Sequence, residues 1–464
     1  MDYGDFVIEK EISYSINFSQ DLLYKILNSY IVPNYSLKQQ YFDLYDENGF
    51  RTRIFIQNSC NNIISSVKKT NSKHEKFVYW LKNTNTLVPL VWRESKEIKL
   101  SYNSLSQTLT KLIKVYVYQH EKIEIKFEHV YFSKSDIDLF DSTMANKISK
   151  LLTLLENGDL SDTLQNSQVG SDEILARMRL EYEFDGDTPD DAQLNVMCNI
   201  IADMESLTDA QNISPSVPLT TLLDKMVPRK FEREQKIVYG DDAFDNSSVK
   251  KWALKLDGMR GRGLFMRNFC IIQTDDMQFY KTKMANVFAL NNIVAFQCEV
   301  MDKHKIYVTD LLQVFKYKYN NRTQYECGVN SSYAINPVTA IECINYMNDN
   351  IQNVVLTDTC PQIELRFQQF FDPPLQQSNY MTVSVDGFIV LDSALRYVKY
   401  KWMPTTELEY DAVNRTFNTL DKPLNGFIIL TDLPTLLHEN IYECVITDTT
   451  INVLKHRRDR IIPN

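Results

Sequence analysis

Lys255-Leu-Asp-Gly-Met-Arg260 sets a primary amine, a carboxylate and a guanidinium in one short segment, just after the apolar approach Trp252-Ala-Leu254. A lysine so placed can serve as a nucleophile. Its amine attacks the α-phosphorus of a nucleoside triphosphate, a P–N bond forms, and pyrophosphate leaves. The amine must be uncharged to attack, and a free lysine keeps its proton up to a pKa of ~10.4. Positive neighbours lower that value; Arg260, Lys399 and Lys401 are the candidates. The same cations would offset charge building on the phosphates. Gly258 would let the backbone approach a nucleotide with no Cβ in the way. A surface β-turn built on Asp257-Gly258 is the plainer reading, and these residues alone leave both open.

A second chemistry is suggested by two Glu-x-Glu pairs, Glu9/Glu11 and Glu181/Glu183. In a strand, residues two apart point the same way, so each pair presents two carboxylates together. Four converging carboxylates repel unless cations compensate. A hard divalent ion, Mg²⁺ or Mn²⁺, would do so. Arg51, Arg53, Lys126, Arg177 and Arg179 occupy similar polar positions. Carboxylate-held metal with Arg and Lys is equipment for binding and hydrolysing a polyphosphate. Any one such strand face serves solubility equally well.

The elements that must carry these residues alternate with period 2. In Val7–Phe18 the residues Glu9, Glu11, Ser13, Ser15 and Asn17 share one face. Arg177, Arg179, Glu181 and Glu183 share a face, as do Glu124, Lys126 and Glu128; Glu97 and Lys99 alternate with Ile98 and Leu100. Such alternation predicts half-buried strands. Its repetition predicts an antiparallel barrel with a polar interior. Helical spacing interrupts at about Gln20–Tyr30 and Thr143–Glu156. An acidic, turn-rich break at 185–191 and the Pro-containing Ser214–Pro218 divide the chain. The expected organisation is a barrel domain over 1–185, a linker or helical region over 186–229, a mixed domain over 230–402 and a small domain over 403–464.

Composition narrows the classes. At 464 residues the chain fits two or three domains. Its 44% hydrophobic and 24% charged content is that of a soluble globular protein. A net charge of -10 argues against coating nucleic acid by bulk charge. No run approaches ~18 apolar residues, so no membrane partner is expected. The start, MDYGDFVIEKE, has no apolar core of a signal peptide, so an intracellular, non-secreted location is expected. The 8 cysteines show no CxxC pair and read as free thiols. There is no GxxxxGK[ST] segment for P-loop chemistry.

The glutamate pairs on the first and last strands resemble the triphosphate tunnel family of metal-dependent phosphohydrolases, which includes RNA triphosphatases of fungi and several large DNA viruses. That resemblance implies Glu9, Glu11, Glu181 and Glu183 as metal ligands, and Arg51, Lys126 and Arg179 as phosphate-holding cations. It casts Glu97 as the carboxylate that orients water.

Further segments follow Lys255 in order: FQCEV with Glu299, IYVTDLL with Asp310 at a strand end, VDGFIVL with Asp386, and VKYK with Lys399 and Lys401. The chain then ends on Arg457-Arg-Asp459-Arg460 and Pro463-Asn464. Together these resemble the covalent nucleotidyltransferase superfamily of mRNA guanylyltransferases and polynucleotide ligases. The resemblance implies an α+β domain with Lys255 as nucleophile. It places Glu299 on the ribose or a metal, Asp386 at the metal and phosphates, and Lys399 and Lys401 on the α-phosphate. Arg260, Arg457, Asp459 and Arg460 would also bind GTP, the last three from a small OB-fold lid. Gln297-Cys298 stand where that superfamily has Asp-Gly, and Arg460 replaces a lysine.

The whole arrangement resembles the late expression factor 4 family of baculoviruses. It implies a bifunctional capping enzyme using GTP and 5′-triphosphate RNA, working with other viral RNA polymerase subunits in the host cell nucleus. Two other classes remain: an ATP-dependent polynucleotide ligase carrying AMP on Lys255, and a non-enzymatic polymerase scaffold.

Overall fold

The computed structural model describes residues 6–56, 64–100, 109–133, 153, 175–207, 219–229, 237–238, 246–267, 269–283, 292–302, 305–319, 327–351, 354–356, 362–375, 383–458 and 460–463. The helix expected over Thr143–Glu156, the break at Ser214–Pro218, Asp459 and Asn464 lie outside that set, Thr153 apart. Two compact units make up the chain. One takes 1–218, 290–292 and 314–334, and the other takes 219–289, 293–313 and 335–464.

The first unit is built on β1 (Phe6–Ile16), β2 (Ser36–Asp46), β3 (Phe50–Phe55), β4 (Ile64–Leu81), β5 (Thr86–Leu100), β6 (Leu109–His120), β7 (Ile123–Ser133) and β8 (Leu175–Glu183). They close in the order β1-β5-β4-β3-β2-β6-β7-β8, every pairing antiparallel. β1 pairs with β8, Glu11 opposite Glu183 and Ser13 opposite Glu181. Register partners on neighbouring strands share a face, so this closure brings the two Glu-x-Glu pairs side by side.

On β1, β7 and β8 the apolar faces point outward and are covered. Ile12, Tyr14, Ile16, Ile125, Phe127 and Leu180 pack with Leu22, Leu23 and Ile26 of the helix Gln20–Ile26. They also pack with Met197, Cys198, Ile201 and Met204 of the helix Asp191–Ser206. Asp190 caps that second helix by accepting from the Ala192 amide. Helix Asp191–Ser206 therefore belongs to the barrel's outer core, although it falls in the stretch expected as a linker or helical region.

Beyond the barrel the described residues form three sheets, which belong to the second unit except for 314–319 of β15 and all of β16. β9 (Ile237–Val238), β10 (Val249–Leu256), β19 (Val385–Asp392) and β20 (Tyr397–Lys401) form one, ordered β10-β19-β20-β9. A larger sheet includes β11 (Met259–Phe265), β12 (Phe269–Thr274), β13 (Phe279–Lys283), β14 (Ile293–Asp302), β15 (Lys305–Tyr319), β17 (Val354–Leu356) and β18 (Ile363–Phe367). β16 (Cys327–Ala334) pairs with β15. The third sheet comprises β21 (Thr406–Asp411), β22 (Thr416–Asn418), β23 (Pro423–Leu424), β24 (Ile428–Thr431), β25 (Ile441–Ile446) and β26 (Thr450–His456). It has its own core of Leu408, Phe417, Tyr442, Cys444, Ile451 and Val453.

Asp310 lies within β15, not at a strand end, and is held by Arg229 at 2.5 Å, whose guanidinium also donates to the Leu311 and Ile335 carbonyls. Five cysteines, Cys198, Cys270, Cys298, Cys343 and Cys444, are buried free thiols.

Candidate active sites

The barrel interior interleaves acids and bases, with an apolar patch of Tyr41, Ile113, Val115 and Val117 beside them. Arg53 donates twice to Asp43, at 2.8 and 2.9 Å, and stacks 3.7 Å over Tyr41. Arg51 lies 3.4 Å from Glu97. Arg179 contacts Glu128 at 2.8 Å and Glu181 at 2.7 Å. Lys126 donates to Glu181 and sits 3.1 Å from Glu124. Burial works to raise the Glu181 carboxyl, but Arg179 and Lys126 hold it well below the ordinary range.

Of the sequence-predicted metal ligands, Glu181 and Glu183 meet as expected. Their third companion is Glu124, opposite Glu181 in register, with carboxylate oxygens of all three within 4.8 Å of one another. Burial and the Glu9 charge push the Glu183 carboxyl up to about 7. Three crowded oxygen donors, one of them reluctant to ionise, fit a hard divalent cation such as Mg²⁺ or Mn²⁺. Glu9 and Glu11 sit on the adjacent strand with a built-in cation: Lys69 donates to Glu9 and lies 3.7 Å from Glu11 and 3.8 Å from Glu97. Arg93 reaches Glu11 at 3.2 Å. Glu124, Lys69 and Arg93 were not singled out from sequence as site residues. Glu124 carried a usable signal, the same period-2 alternation as Lys126.

In the second unit, apolar Trp252 and Leu254 pack against Phe388 and Val390, which turns Lys255 to the opposite face of β10. Lys255 Nζ donates to Asp386 Oδ1 at 2.6 Å, and Lys401 lies 3.1 Å from Asp386 Oδ2. The amine is thus met first by a carboxylate, which is shared with Lys401, one of the cations expected near it. Gly387, opposite Lys255, makes this possible: at φ +158° a Cβ there would stand 1.8 Å from the Tyr400 carbonyl oxygen. Gly258 answers to a similar demand. A Cβ would meet the Val300 carbonyl oxygen at 2.5 Å, so close passage of β14 requires this glycine.

Glu299 stands opposite Arg260 on β14. Burial pushes its carboxyl up to about 7 against the pull of Lys255, Lys399 and Arg260. Its Oε2 is buried with no hydrogen-bond partner among the described residues, an acceptor that fits a ligand donor or a metal. Burial and Lys255 push Lys399 down to about 8. Arg260 pairs with Asp275 at 2.9 Å.

The terminal cations are held within the third sheet. Arg457 lies 2.8 Å from Glu407 and 3.3 Å from Glu443, and Arg460 lies 3.4 Å from Glu407. Lys455, in the same run, donates to Asp257, two residues beyond Lys255.

The sequence model of the Late expression factor 4 family matches residues 9–464. The chain belongs to that family. Two viral relatives named mRNA capping enzyme LEF-4 match it over their full length. That of Autographa californica nuclear polyhedrosis virus is 90% identical over 464 residues, covering 100% of both chains. That of Orgyia pseudotsugata multicapsid polyhedrosis virus is 50% identical over 463 residues, covering 99% of each. Among solved structures, S. pombe Pct1 RNA triphosphatase in complex with the Spt5 CTD is 14% identical, with a TM-score of 0.21, over 42% of this chain and 76% of that one. At that score the likeness carries no weight for the fold, which rests on the closed barrel itself.

Proposed function

We propose that this family member caps mRNA in two consecutive steps, each in its own unit. The chain is a polynucleotide 5′-phosphatase and an mRNA guanylyltransferase. In the barrel, Arg51, Lys69, Lys126 and Arg179 bind the triphosphate end of RNA, and Glu97 orients the attacking water. Glu124, Glu181 and Glu183, with Glu9 and Glu11 beside them, would hold Mg²⁺ or Mn²⁺. That ion, when bound, neutralises charge on the phosphoryl oxygens.

In the second unit, Lys255 leaves Asp386, loses its proton and attacks the α-phosphorus of GTP. The P–N bond forms as the α–β P–O bond breaks and pyrophosphate departs. The terminal phosphate oxygen of diphosphate-ended RNA then displaces the lysine, giving GpppRNA. Lys399 and Lys401 take up charge on the α-phosphate, Asp386 organises Lys255 and Lys401, and Glu299 receives the ribose or a metal. Arg260 and the ending Arg457-Arg-Asp459-Arg460 serve GTP once the lid cations exchange Glu407 for phosphate.

The observation that carries this reading is the Lys255–Asp386–Lys401 line opposite Glu299 and its unpartnered oxygen. GTP labelled on the α-phosphate is expected to label the chain and ATP is not. Label from ATP alone favours the ligase class; no label from either favours a scaffold. The net charge of -10 supports delivery of RNA by partners, and we place the protein in a viral RNA polymerase in the host nucleus. Recovery of the chain free of polymerase subunits from infected nuclei would contradict that placement.

A further inference from the structure

The ionic contacts of the third sheet reach both sides of the nucleophile through one carboxylate. Glu443 on β25 is 4% exposed. Its Oε1 accepts from Lys401 Nζ at 2.9 Å and Thr405 Oγ1 at 2.6 Å. Its Oε2 lies 3.3 Å from Arg457 and 3.5 Å from Lys455. Two of these partners also reach the surroundings of Lys255. Lys401 also meets Asp386, which holds Lys255, and Lys455 also meets Asp257, two residues beyond Lys255.

A buried carboxylate shared by several cations can serve stability alone. Its reach toward Asp386 and Asp257 gives this one a further consequence. Removing its charge would leave Lys401 with Asp386 as its sole ionic partner among the described residues. It would also free Lys455 and Arg457 from a common anchor. A displaced Asp386 misplaces Lys255, and small misplacements of a reacting group are costly in rate.

We infer that Glu443 is a positioning residue for guanylyl transfer: it fixes Lys401 beside Asp386 and, through Lys455, ties the third sheet to the Lys255 turn. The inference rests on the guanylyl-transfer reading of Lys255. Nothing in its local sequence, IYECVI, distinguishes Glu443 from a solvated strand glutamate.

Single-turnover formation of the lysyl-guanylate tests it, measured across GTP concentration at a temperature below unfolding. Glu443→Gln is expected to lower the maximal rate about tenfold or more while γ-phosphate release by the same preparation is unchanged. Glu443→Asp is expected to restore part of the loss. Lys455→Met is expected to raise the half-saturating GTP concentration several-fold, with adduct still forming at saturation. A folded Glu443→Gln as fast as the unaltered chain overturns the inference. If Glu443→Gln does not fold, Lys455→Met decides, and unchanged half-saturation overturns it. A blank from the unaltered chain overturns the guanylyl-transfer reading itself, a result distinct from a labelled chain with indifferent variants.

Discussion

At the residue scale, both sites depend on charges that are satisfied by one another. Lys126 is the clearest case: it is 5% exposed and donates to Glu181, itself 3% exposed. Lys126→Met leaves a buried carboxylate with Arg179 as its remaining close cation. A cost of about 3 kcal/mol in denaturant unfolding of the barrel is expected, with loss of γ-phosphate release. Unfolding unchanged from the parent would contradict that accounting. Glu299 presents the opposite situation, a buried oxygen with no hydrogen-bond partner among the described residues. Glu299→Gln should leave stability nearly unchanged and depress lysyl-guanylate formation. A stabilised variant with full adduct formation would instead mark the oxygen as an ordinary packing defect.

At the element scale, the strands set what each residue can reach. Gly387→Ala forces a methyl group against the Tyr400 carbonyl and separates β19 from β20. Destabilisation of roughly 2 kcal/mol or more and loss of the adduct are expected, read by thermal unfolding and α-labelled GTP. A second element prediction concerns Lys316 on β15, 5% exposed and 3.5 Å over the Tyr14 ring, with Glu205 opposing its discharge. Burial pushes its ammonium down from an ordinary 10.5 to about 7. Between those values the folded chain holds fewer protons than the unfolded one, so stability rises with pH across that window. Lys316→Met should flatten that rise; an unaltered slope would assign it to other groups.

The barrel strands were legible because one polar and one apolar face leave a period of two, as in β1, β7 and β8. Lys69 was not, because β4 runs Lys68-Lys-Thr-Asn-Ser-Lys-His-Glu-Lys76, polar on both faces. Periodicity cannot say which of Lys68 and Lys69 points inward there; the pairing Lys69↔Glu97 does. Glu443 was hidden for a related reason: a single glutamate in an apolar strand looks the same whether it meets water or Lys401. The resemblance put Asp386 in the same site as Lys255, but sequence order did not reveal that its carboxylate would face the amine directly.

At the scale of the whole molecule, the two chemistries occupy different units and should fail separately. Glu9→Ala is expected to abolish γ-phosphate release and leave guanylation intact, and Lys255→Ala to do the reverse. Loss of both activities in either variant would contradict independent sites. The order of segments from Lys255 to Lys401 made the second chemistry legible. The dependence of Lys401 on the third sheet was not, since Lys401 and Glu443 are brought together only by folding. The most direct measurement is peptide mass spectrometry after incubation of the intact chain with GTP and magnesium. A guanylate bonded to Lys255, absent when ATP replaces GTP, is the predicted result. An unmodified Lys255 peptide, or guanylate on a different side chain, would contradict the account.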